Sequence, residues 1–421
     1  MLSKPLMLAL RFARRLGVRV VLMAGLAVLA ALFAPTLEGF IPEKLEDRFG
    51  VDAVLPILSI LASSLLTVTT FSLGVMVSAF QSAASQGTPR AYRVLMQDGT
   101  TQTVLATFVS GFLFSLTALV MFNAGFYGEA AAVVVFGLTI VTIVLIVVAI
   151  LRWIDLLSHL GSMDHTLWQA EVAAQGSLKS YSRAPNLGAN RLADMTAPPP
   201  GASPVTAKQS AYIQYIDLAR LNDLLTERGA ALWLSAAPGK FVLRGQPLGY
   251  VSAATGDLAD RVAEHVTLGR ERTMEQDARF GLVVLSEIAC RALSPGVNDP
   301  GTAIDVVHRL KKLLWEHAQD SVTPSGEDPD DPLLYPRIHL PATTAADLLE
   351  DAYCVLIRDA AGRIEVIGEV LRALDDLTAA PGPLADAARQ QQAYARDHAL
   401  AAIDNVTDLA QLDRLAPREA S

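Results

Sequence analysis

Three sets of side chains stand out as capable of binding or conducting. Ser59, Ser63, Thr67, Thr70, Gly74, Ser78, Gln81 and Ser85 recur every three or four residues, so they fall along one face of a single helix. In an apolar setting such a face has two uses. Small hydroxylated residues let helices approach closely and hydrogen-bond across the contact, or symmetry-related copies of the face border water and line a pore. Ser and Thr can also satisfy their own helix carbonyls without water. Arg90 and Arg93 come next along the chain. They hold anionic headgroups and set topology, or at a pore mouth they attract anions. The third set is Glu287, Arg291, Asn298 and Asp299. It forms a candidate polar site at a subunit contact or at the helix N-terminus that begins with Pro300, where anions bind readily. Local roles explain the same residues: Glu287 and Arg291 as an i,i+4 pair, Ser294-Pro-Gly as a turn, Asp299 as a helix cap.

Other chemistries find no support in the spacing. The seven histidines include no metal-binding pattern. His159 and His165 flank Asp164 but do not share a helix face, and His308 follows Asp305 by one turn as a surface pair. Cys290 and Cys354, far apart and without a CxxC, read as small buried hydrophobes. There is no phosphate loop and no GxGxxG. No catalytic residue, metal or cofactor is therefore assigned. Acids outnumber bases by 43 to 34, which removes the basic face that nucleic acid requires.

The elements that carry these residues begin with four apolar stretches. A helix needs ~20 mostly apolar residues to cross ~30 Å of hydrocarbon. Such stretches run over about 16–35, 54–80, 104–126 and 130–151, each without Asp, Glu or Lys; Arg19 lies near an end, where it can snorkel. The hydroxyl face belongs to the second, whose pattern overruns the bilayer and projects beyond it until Gly87 and Pro89 break it. No carboxylate or histidine lies inside a span, which disfavours a proton relay. Lys4, Arg11, Arg14, Arg15 and Arg19 at the start, Arg90 and Arg93 after the second span, and Arg152 after the fourth lie on one side. Glu38, Glu43, Glu46, Asp47 and Asp52 outweigh Lys44 and Arg48 on the other. Both termini are thus expected in the cytoplasm of a bacterial inner membrane. The basic start and the run from Val20 to Ala34 also fit a signal peptide, which leaves the other three spans oriented the same way.

Beyond Arg152 a helical extension gives way to a proline-rich linker over 185–209, so 153–209 joins the spans to the C-terminal half. An α+β domain is expected over 210–320. Ala211 to Ile216 alternates as a strand, Leu218 to Arg228 has helical spacing, and Ala231 to Ser235 reads as a strand. Glycines around Phe241 and Pro247 to Val251 add a tight β unit, like half of a small barrel or a biotinyl-type hybrid fold. Ser321 to Pro332 is an acidic loop. Helices are expected over 343–377 and 384–415 within a C-terminal helical region, 333–421.

The run Phe71-Ser-Leu-Gly-Val-Met-Val-Ser-Ala-Phe-Gln-Ser-Ala-Ala-Ser-Gln-Gly-Thr-Pro-Arg90, with Gln97-Asp98 and Thr101-Gln102 after it, resembles the bacterial family of predicted membrane proteins called domain of unknown function 2254. Three later stretches look like that family's in the same order: Gly239 to Leu248, Glu275 to Gly281 and Arg291 to Pro300. Gly87-Thr88 and Lys240 depart from its pattern. The resemblance implies the architecture and brings no catalytic residues with it. The expected fold is an α-helical membrane protein: four transmembrane helices, then a cytoplasmic α+β domain rich in helices with a small β unit. The expected function is a homo-oligomeric channel-like or solute pathway built on the second helix; the alternative is a non-transporting sensor or scaffold whose cytoplasmic domain binds a partner or small ligand. The expected partners are lipid, further copies of the chain and an ion or small molecule, with no nucleic acid.

Overall fold

A computed structural model describes residues 5, 7, 11, 13, 16–36, 51–96, 99–159, 162–192, 199–252, 257–321 and 333–415. Most of the acidic segment over 36–52, Asp98, Pro198, the acidic loop up to Pro332 and the side chains of Ser85 and His159 lie outside what is described. The chain forms two compact units.

The smaller unit comprises residues 8–85 and 95–165. Its helices are α1 (Leu16–Phe33), most of α2 (Val51–Gln86), α4 (Gly99–Asn123) and α5 (Glu129–His159). All four are long and apolar enough to cross a membrane. Two apolar clusters hold them together, one around Leu58, Phe114 and Val135, the other around Leu65, Phe108 and Trp153. At Gly111 a Cβ would come within 3.0 Å of Leu65 Cδ1, so the missing side chain on α4 makes room for the Leu65 side chain of α2. Arg19 donates to the carbonyl of Gly99 at 2.8 Å and the hydroxyl of Thr103 at 3.0 Å, which satisfies the one charge in α1. Val21, Leu26, Phe71, Val144 and Leu151 point outward and exposed, as helices bathed in hydrocarbon require.

The larger unit comprises residues 1–7, 86–94 and 166–421. It opens with α3 (Pro89–Met96) and α6 (Met163–Arg183), and its strands are β1 (Ala189–Leu192), β2 (Ser203–Thr206), β3 (Ala211–Ile216), β4 (Leu232–Leu234), β5 (Phe241–Val242), β6 (Pro247–Val251), β7 (Val266–Gly269) and β8 (Tyr335–Pro341). Five form a mixed sheet in the order β1-β8-β4-β6-β2, with β8 parallel to both of its neighbours. Three form an antiparallel sheet, β5-β3-β7. Short helices α7 (Leu218–Glu227) and α8 (Leu258–Glu264) cover them, burying Leu221, Leu225, Leu232, Val251, Leu258 and Ile338. Two strands therefore stand within 185–209, where a linker was expected. Prolines and glycines flank both strands and Pro204 lies inside β2, an edge strand where proline is tolerated, which hides them from a composition reading. The β unit is a five-stranded and a three-stranded sheet rather than half a barrel.

The rest is helical: α9 (Phe280–Leu293), α10 (Pro300–Asp320), α11 (Ala345–Leu349), a π turn (Glu350–Cys354), α12 (Val355–Ala360), α13 (Ile364–Leu377), α14 (Leu384–Ala402) and α15 (Val406–Arg414). The two long helices expected over 343–377 and 384–415 are thus interrupted, at Gly362 and at Ile403 to Asn405. Tyr353, fully buried in the π turn, donates to the Val307 carbonyl at 3.4 Å and ties that turn to α10.

Candidate functional site

The hydroxyl face of α2 points away from its own unit. Ser59, Ser63, Thr67, Thr70, Gly74, Ser78 and Gln81 are all exposed, while Val54, Leu58, Ala62, Leu65 and Met76 are buried. A Cβ on Gly74 would meet nothing within 4 Å. The hydroxyls bond back along the helix: Ser63 to the carbonyls of Ser59 and Ile60, Thr67 to Ser63, Thr70 to Leu66 and Thr67. Packing among the described residues of this unit does not explain this face.

Arg90 and Glu287, read separately in the sequence, form an ion pair in the larger unit. Arg93 reaches Glu271 at 3.0 Å. Arg90 stands in the first turn of α3, four residues after α2 ends, and Glu287 on α9, whose apolar face packs into the helical core. Beside this pair lies an open cavity of about 590 Å³ walled by Thr88 to Arg90, α9, the π turn and α12. Arg272, Ser286, Glu350, Asp351 and Arg358 add polar groups to its lining, and Val283 and Val355 add apolar ones.

The other members of the third set do not join Glu287. Asn298, with φ of 51°, accepts a hydrogen bond from Arg363 at 2.8 Å, and Arg363 also donates to the Leu293 carbonyl. Asp299 caps α10, accepting from the Thr302 amide at 3.0 Å and its hydroxyl at 2.6 Å. Those bonds, the hydroxyl's first, hold its carboxyl below the usual range. Arg291 lies exposed in the last turn of α9. The four residues thus divide between the cavity and the local geometry of a turn and cap. Asp305 pairs with Arg309 at 3.0 Å, not with His308.

Sequence spacing missed two convergences. Cys290 and Cys354, both free, line the same cavity although 64 positions separate them in the numbering. Burial, and then the charge of Asp359, pushes the Cys290 thiol up to about 12, so it stays protonated and unreactive at neutral pH. The second convergence joins the stretches beginning at Gly239 and Glu275. Asp277 sits against Gly239 while Arg272 grips its carboxylate through two nitrogens at 2.9 and 3.1 Å. Burial pushes the Asp277 carboxyl up, and Arg272 opposes that shift. Next to it Arg279 spans Asp347 at 2.8 Å and Asp351 at 2.5 Å, which fixes α9 to the start of the π turn. Among the described residues no group of three or more His, Cys, Asp or Glu could hold a metal ion.

The profile of the family described as predicted membrane protein (DUF2254) matches residues 13–376. Similar proteins, described as uncharacterized, occur in Mycobacterium bovis (strain ATCC BAA-935 / AF2122/97) and in Mycobacterium tuberculosis (strain ATCC 25618 / H37Rv). Each is 29% identical over 326 residues, covering 75% of this chain and 60% of the relative. The match thus spans less than two thirds of those relatives' length. No solved structure matches the chain.

Proposed function

The chain belongs to the DUF2254 family of predicted membrane proteins, and on that footing we propose that it works as a homo-oligomer whose copies of α2 meet along the hydroxyl face and border a pathway for ions or small solutes. In this reading the four apolar helices lie in a bacterial inner membrane with both termini and the larger unit in the cytoplasm. The observation that carries it is the exposed polar face from Ser59 to Gln81, which no described residue of its own unit covers. Small residues favour close helix approach in lipid, so a second copy of the chain suits that face better than lipid does. Arg90 and Arg93 follow α2 on the side where basic residues are retained.

Cysteine substitution tests the reading. With Cys290 and Cys354 replaced by alanine, T67C and T70C in liposomes should react with a membrane-impermeant thiol reagent, and liposomes carrying the wild-type chain should show solute or ion flux. Unreactive thiols together with no flux across ions and tensions would remove the pathway.

A second reading, a sensor or scaffold without transport, draws on the cavity beside Glu287. It calls for ligand binding by the larger unit in a protein that passes no solute.

A further inference from the structure

We propose that the cavity between α9, the π turn and α12 binds a zwitterionic peptide of about two residues with apolar side chains. The proposal stands apart from the pathway, because all of its residues belong to the larger unit. A volume of about 590 Å³ is that of a small-molecule site.

Ser286 marks the inner wall. The residue is only 3% exposed, and among the described residues its hydroxyl has no hydrogen-bond partner of good geometry, with the Cys290 thiol as its polar neighbour. Buried hydroxyls are nearly always bonded, so an orphan one lining a cavity points to a polar atom from outside the chain.

The charges then select the ligand's class. Arg90 is held by Glu287, Arg272 by Asp277 and Asp351 by Arg279. That leaves Glu350 and Arg358 in the lining, neither meeting an opposite charge among the described residues. A simple anion would face the carboxylates and a simple cation the guanidiniums. One ammonium and one carboxylate on the same molecule satisfy both groups.

Their separation sets the length. The two residues lie eight apart on a continuous helical run, about 12 Å along the axis at ~1.5 Å per residue. Arg358 folds back along its own helix, its Nε donating to the Cys354 carbonyl at 3.4 Å, which brings the guanidinium a turn nearer to Glu350; an extended dipeptide covers ~7 Å of the shortened gap. Val283 and Val355, the latter 50% exposed, offer the apolar wall for its side chains.

Titration calorimetry on the full chain in detergent, with L-leucyl-L-leucine as the probe, tests the site. Saturable binding is expected, at least tenfold weaker for the N-acetylated dipeptide, for the C-terminal amide and for glycylglycine. E350Q should weaken leucylleucine tenfold yet leave the N-acetylated form unchanged; R358Q should do the same with respect to the amide; S286A should weaken all three. Glu350 and Arg358 hold no ion pair among the described residues, so these variants keep the wild-type melting temperature. Absence of saturable heat up to millimolar dipeptide, or equal binding by the capped forms, would overturn the proposal, and neither result bears on flux through α2.

Discussion

The carboxylate of Asp277 occupies the space that a side chain on Gly239 would need: a Cβ there would stand 2.0 Å from Asp277 Oδ2. Gly239 also has φ of 89°, which L side chains rarely adopt. G239A should therefore displace the Asp277–Arg272 pair and destabilise the larger unit by about 2–3 kcal/mol. In the purified full chain this appears as a melting transition several degrees lower, while the helical circular dichroism below the transition stays as in wild type.

Gly281 makes a similar approach for a different reason. Within α9, its Cβ would fall 2.4 Å from the Ala174 Cβ and 2.6 Å from the Ala174 Cα on α6. G281A should cost about 1–3 kcal/mol through overpacking. Adding A174G should restore only part of the loss, because the backbone carbon remains in the way; a full rescue in the melting temperature would contradict the close crossing.

Asp299 and Asn298 hold a turn and a cap and make no contribution to the cavity. D299A should lower stability by about 1 kcal/mol, the usual worth of an N-cap. Leucylleucine affinity, measured by the same calorimetry, should stay at the wild-type value. A fall in affinity at unchanged stability would place Asp299 in a binding role.

Burial holds the imidazoles of His317 and His339 below their ordinary value of 6.5. His317 lies 2.7 Å from the Ser182 hydroxyl and His339 stacks on Trp233. Below pH 6.5 the unfolded chain binds protons that the fold resists. The stability they allow is complete above that pH and declines as pH falls through the folded values. Between pH 7.5 and 5.5 the melting temperature should drop, and H317Q should flatten the slope without abolishing it. An identical slope in the variant would show that His317 does not titrate out of step with the unfolded chain.

The sequence was most legible where periodicity is long and solvent is uniform. The four apolar helices follow from their composition alone, and α2 ends at Gln86, just before the Gly87 and Pro89 that break its pattern. The cap at Asp299 was equally plain, because its bonds run only three residues along the chain. Pairings across long separations left no such trace. Glu287 has Arg291 one turn away, and nothing in that spacing favours Arg90, 197 residues distant, which the fold supplies. The cavity is similarly hidden: Cys290 and Cys354 lie on separate elements whose meeting depends on Arg279 bridging to Asp347 and Asp351. The π turn that carries Glu350 has ordinary helix-forming residues, so its widened backbone had no local signal.

The middle place of β8 governs when this protein can finish folding. β1 leaves the ribosome with no strand to pair with, and the strand that fills the gap between it and β4 emerges roughly 140 residues later, some 7 to 30 seconds at typical rates of synthesis. Until Ile338 and Leu340 arrive, Leu232 and its neighbours have no lid on that side of the sheet. A nascent chain stalled short of residue 335 would leave bare the edges of β1 and β4 that β8 fills, the surface that folding helpers seize and that aggregation exploits.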